Sequence, residues 1–265
     1  LTNVNTYTGP TVLFGNLAIT SDAALGTNSD VVATGGFLRS DGPVTSSRNF
    51  TLSGSLPLIT NGFDMTLNGT ISNQAATPGT LSKGGTGTVT LTGKNQFNGT
   101  MAVGLSAPLG GMSKLETGGT LVLSGANGSL TAVTAANIFS GATLVLDNSG
   151  ANNNDRLNAN VLVGGGTLEL RGNASAPTNE TIGTLTAASF SPAVGNGVSI
   201  INIVADPAQS AVLTASNFVR TGTTGLLVRG ANLGGAIGAG TANLVFNTAP
   251  TLTGGIIPGS VGDTS

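Results

Sequence analysis

The chain contains no cysteine, no histidine and no tryptophan, and its single tyrosine is Tyr7. Without histidine or tryptophan it lacks residues that polysaccharide-cleaving sites commonly use for proton transfer and as sugar platforms. The absence of cysteine fits a secreted bacterial surface protein but also many other classes, so it constrains the compartment only weakly. Charge is scarce as well. Only 8% of residues are charged and the net charge is −2, against roughly 25% charged residues in ordinary soluble domains. No Lys or Arg cluster supplies the basic stripe that nucleic-acid binding needs. No run approaches the ~20 apolar residues of a membrane span, and the most apolar stretch, Ser199 to Ala205, is broken by Asn202. The chain starts at Leu1 with no signal-like segment, which suggests a processed piece or a portion of something longer.

What is present is glycine, 42 of 265 residues, and a hydrophobic fraction of 39%. The apolar residues are patterned and β-branched residues abound, which separates the chain from disordered sequences. Gly, Thr, Asn and Val all sit low on helix propensity, and no long stretch keeps a 3.6-residue apolar period. The chain reads as all-β.

Three runs repeat one pattern: Gly118-Gly119-Thr120-Leu121-Val122-Leu123, Gly141-Ala142-Thr143-Leu144-Val145-Leu146 and Gly165-Gly166-Thr167-Leu168-Glu169-Leu170. Thr120 and Thr143 are 23 residues apart, Thr143 and Thr167 are 24. A glycine turn followed by an alternating strand, once per ~20–25 residues, is the signature of stacked β-rungs. Period-2 alternation places Leu121/Leu123, Leu144/Leu146 and Leu168/Leu170 inward as a core ladder, with Val122, Val145 and Glu169 outward. In-register stacking then sets Asp147 beside Arg171. Phe37, Phe63, Phe97 and Phe139 are further core candidates.

A longer repeat aligns residues 1–13 with 91–103, sharing Asn5/Asn95, Tyr7/Phe97 and Gly9/Gly99. Asn and Gly at corners suggest left-handed backbone. The run Gly85-Thr86-Gly87-Thr88-Val89-Thr90-Leu91-Thr92-Gly93-Lys94-Asn95-Gln96-Phe97-Asn98-Gly99-Thr100 resembles the autotransporter-associated β-strand repeat. A second match begins mid-motif at Leu1, and residues 21–26 look like the segment that closes such repeats. The likeness covers residues 1–26 and 84–125 well and the rest loosely. It implies a right-handed parallel β-helix on very large secreted bacterial surface proteins, and it transfers no catalytic residue. Residues 1–170 read as the repeat region. Residues 171–265, punctuated by Pro177, Pro192, Pro207, Pro250 and Pro258, read as a less regular β region that continues the solenoid with shorter rungs, or folds as a small β subdomain.

Candidate chemistry is sparse. Asp147, Asp155 and Glu169 could supply the carboxylate pair of a glycosidase, but they also fit solvated rung positions with Asp147 beside Arg171. Gly84-Gly85-Thr86-Gly87-Thr88-Val89 approaches the calcium-roll signature, with valine where the ligand aspartate belongs. Asn152-Asn153-Asn154-Asp155 could hold a cation, or be a polar loop. Sequons at Asn49, Asn68, Asn98, Asn127, Asn173 and Asn179 are expected by chance in so Asn- and Thr-rich a chain. No catalytic residue, cofactor or metal is assigned.

The resulting expectation is a non-enzymatic, extracellular structural β-solenoid that polymerises head to tail with itself. Leu1, Thr2, Asn3 and Val4 would meet Thr251, Leu252, Ile256 and Ile257 of the next copy. Open strand edges template such pairing. The rivals are a surface-tethered adhesin or spacer contacting glycans or other cell-surface proteins, and a carbohydrate-active β-helix or tailspike.

Overall fold

Short alternating segments of Val, Leu, Ile and Thr form strands mostly three to six residues long, because such side chains suit a pleated, half-buried surface. Glycine makes many of the corners. Gly118, Gly141 and Gly165, which open the three aligned runs, have φ of +85°, +73° and +78°, a backbone that side chains with a Cβ rarely adopt. The computed structural model describes residues 1–27, 29–74, 77–104, 118–188 and 197–264.

The strands stack as an all-parallel solenoid. One sheet holds ten strands, from Leu17–Ile19 to Ala242–Phe246, and a second holds nine, from Val44–Ser46 to Ser260–Asp263. A third side begins as four strands, Thr11–Leu13, Val31–Ala33, Phe50–Leu52 and Ile71–Asn73. It goes on through the pair Lys94–Asn95 and Ser129–Leu130 and a bridge from Leu130 to Leu157. Each strand pairs with its equivalent one turn later, which is the topology of a parallel β-helix. Among the described residues no helix is long and apolar enough to cross a membrane.

The core is a set of continuous rows. Val44, Met65, Val89, Leu121, Leu144, Leu168, Ile201 and Val228 are successive Cα partners in the nine-strand sheet. Leu67, Leu91, Leu123, Leu146, Leu170 and Ile203 form the neighbouring row. All six leucines of the aligned runs are 0% exposed. Burying each contributes roughly 1.5–3 kcal/mol.

Several expectations shift. Val122 and Val145, in the outward phase, are buried all the same, because alternation reports the pleat and not what lies over it. Phe37 and Phe97 are buried, but Phe63 is exposed, at a corner between strands, and Phe50 joins the core instead. Both long sheets run on past Arg171. The later rungs are longer than the earlier ones, not shorter. Ile201 follows its partner Leu168 by 33 residues and Gly262 follows Val228 by 34, because loops have been inserted between strands that keep their register.

Candidate functional site

Two features of the solenoid are not explained by the stacking of rungs alone: its ends, and a charged cluster buried in one corner. At the C-terminal end the nine-strand sheet finishes with Ser260–Asp263 on Leu226–Arg229, and the ten-strand sheet with Ala242–Phe246 on Ala211–Ala215. Among the described residues the far edges of these last strands pair with no further strand. The Ala211–Thr221 strand overhangs. It pairs with Thr178–Ala188 along its length but with the Ala242–Phe246 strand only as far as Ala215. Between the two last strands lies an apolar cavity of about 210 Å³, lined by Leu226, Val228, Leu244, Phe246, Ile257 and Val261. Phe218 and Phe246 pack there with ring centroids 5.7 Å apart. Asp263 lies 3.4 Å from the Arg229 guanidinium, so the edge presents a compensated charge.

The structure puts Thr251, Leu252, Ile256 and Ile257 in a tight turn outside the sheets. A bridge between Thr253 and Ile256 closes it around Gly254 and Gly255, both at positive φ. Leu252 and Ile256 are 53% and 62% exposed, while Ile257 turns inward to the cavity. The strand that extends the sheet is Ser260–Asp263, C-terminal to the four residues expected from the sequence.

At the other end Leu1, Thr2, Asn3 and Val4 are exposed and form no strand. Leu1 nevertheless meets the outer edge of the first rung. Its amine donates to the Ala18 carbonyl at 2.5 Å, and its carbonyl accepts from Thr20 N–H at 3.3 Å. Further along, Asn5 N–H donates to Ala23 O and the Asn5 side chain to Ala24 O. The mid-motif start is thus partly completed by its own backbone.

No family model, no curated protein and no solved structure matches the chain.

The corner cluster is invisible to periodicity. Glu180 and Arg156 are both 0% exposed. Glu180 accepts from the Asn148 side-chain amide at 3.0 Å and from the Arg156 backbone N–H at 3.1 Å. The Arg156 guanidinium donates to Asn148 Oδ1, Gly128 O and Ala151 O at 2.7–2.9 Å. Asn148 therefore stands between the cation and the carboxylate. Burial pushes the Glu180 carboxyl up to about 7 against the pull of its donors, and burial likewise lowers Arg156. A second buried guanidinium, Arg48, binds Asp22 and the carbonyls of Ser29 and Gly26. Both arginines use a planar fork to satisfy carbonyls at corners. The only signal of them in the sequence is a charged residue inside an otherwise uncharged stretch.

The remaining candidates are engaged in structural contacts. Glu169 accepts from Arg171 Nε at 2.6 Å and from Asn202 at 2.8 Å, while Asp147 accepts from Ser149 and lies 3.9 Å from Arg171. Asp155 sits apart on its loop. In that loop the amide oxygens of Asn152, Asn153 and Asn154 accept from Thr178, Asp155 and Asn179. Among the described residues no group of three or more acidic or metal-ligating side chains gathers.

Proposed function

We propose that the chain is a non-enzymatic structural β-solenoid that assembles head to tail with further copies of itself into a fibre on the bacterial cell exterior. One observation carries this reading. Large exposed hydrophobics concentrate at the two ends of the stack: Leu1, Val4, Val12 and Phe14 at one, Val245, Leu252, Ile256 and Val261 at the other. Among the described residues from 64 to 197 none is exposed. An open parallel edge with apolar side chains around it is a template for another strand. The two ends differ, so the contact is heterologous and does not close on itself. The likeness of residues 85–100 to autotransporter-associated repeats supports the extracellular setting. The engagement of Asp147 and Glu169 with Arg171 supports the absence of catalysis.

The test is to replace Leu252 and Ile256 together by Asp. Both are exposed and outside the sheets, so the fold and its melting temperature should be retained. Sedimentation of the intact chain should give species that grow with concentration, and the double variant should remain a monomer. If the intact chain and the variant sediment alike, the ends are not the interface.

A further inference from the structure

Two corner loops rise beside the third side of the solenoid, residues 124–128 after the Gly119–Leu123 strand and residues 148–155 after the Ala142–Asp147 strand. Between them is a groove of about 430 Å³, whose floor includes Lys94, Ser129 and Asn158. That volume lies within the ~300–1,000 Å³ of small-molecule sites. Arg156, fully buried, holds both walls at once, donating to Gly128 O of one loop and Ala151 O of the other, each at 2.7 Å. The Asn153 side chain reaches across to Ala126 O at 3.2 Å. Glu180 and Asn148 hold Arg156 from below. The walls are fixed before any ligand arrives.

The side chains facing the groove are in the opposite condition. Lys94, Asn127, Thr131, Asp155 and Asn158 line it, and among the described residues none of their side chains has a hydrogen-bond partner. They offer one cation, one carboxylate, two amides and a hydroxyl, with no net charge. An anion would meet Asp155 and a cation Lys94. No aromatic ring lies in the groove for a base to stack on. An added peptide strand finds no open edge here, since Ser129–Leu130 is paired with Lys94–Asn95 on one side and bridged to Leu157 on the other.

We infer that this groove is a binding site for a neutral polyhydroxylated chain, an oligosaccharide, whose hydroxyls each donate and accept as the lining does. The site does not depend on the ends of the solenoid. With no aromatic platform, affinity is expected in the low millimolar range, about 1–5 mM.

The experiment is amide-resolved NMR titration of the full chain with chitohexaose, cellohexaose and maltohexaose, each to about 10 mM. The expected result is saturable shifts with at least one of them, confined to residues around Lys94, Ser129, Thr131, Asp155 and Asn158. The double variant Lys94→Ala/Asn158→Ala, two exposed side chains, should keep its spectrum elsewhere and bind at least about tenfold more weakly. No shift with any of the three sugars overturns the inference, and so does equal binding by the variant or a shift map centred outside the groove. Sedimentation of the same samples reads assembly separately, so failure of the groove and failure of the ends are distinguishable.

Discussion

At the scale of single residues, a chain this poor in charge still places two of its charges in the interior. Glu180 is stabilised by two neutral donors and, through Asn148, by Arg156, yet its burial dominates and its carboxyl titrates near 7 instead of 4.5. A raised carboxyl means that between those values the folded chain holds a proton that the unfolded chain has released. The stabilisation is therefore whole below about pH 4.5 and is lost as pH rises through about 7. Denaturant midpoints measured from pH 4.5 to 8 should fall on the alkaline side, by on the order of a few kcal/mol. Glu180→Gln should remove most of that slope, and a wild-type midpoint that stays flat over this range would show Glu180 to be ionised throughout. The inward leucines were legible because alternation with a constant period reports the pleat directly. Glu180 and Arg156 were not, since their burial depends on where the 148–155 loop folds back, and no local pattern encodes that.

At the scale of elements, the repeat Asn-x-aromatic-x-Gly was legible as a corner, but not for the physical reason that its residue types suggest. Neither Asn95 nor Gly99 has positive φ. Asn95 is a rung-spanning side chain: its oxygen accepts from Ile71 N–H one rung back, and its amide donates to Gly93 O and to Ser129 O one rung on. Gly99 is required by proximity, since a Cβ there would collide with the carbonyl of Gly79, whereas Gly9, its counterpart in the first repeat, has open space around it. The same substitution should thus give opposite results at equivalent positions. Gly99→Ala is expected to destabilise by about 1–3 kcal/mol through overpacking, and Gly9→Ala to change stability by less than about 0.5 kcal/mol. Equal effects in thermal melts would mean that the repeat uses its glycines for chain flexibility alone. Rung lengths after Arg171 were illegible for a related reason. Register is kept by strand pairing, and the inserted loops carry no periodic signal.

At the scale of the whole molecule, the solenoid is a one-dimensional stack whose interior rows would accept another rung at either end. Between the ends, hydroxyls and amides cover the surface and few charges are present to repel a second copy. Assembly should therefore depend little on salt, because the contact is apolar and backbone-mediated. The fold was legible as a whole, since a repeat near 24 residues with in-phase leucines has few other solutions. The ends were legible only in part: Leu252 and Ile256 are exposed as expected, but the strand beside them is Ser260–Asp263. Electron microscopy of the intact chain at rising concentration tests the central claim most directly. Unbranched filaments one solenoid wide, lengthening with concentration, are the expected result, and monodisperse single rods at high concentration would contradict it.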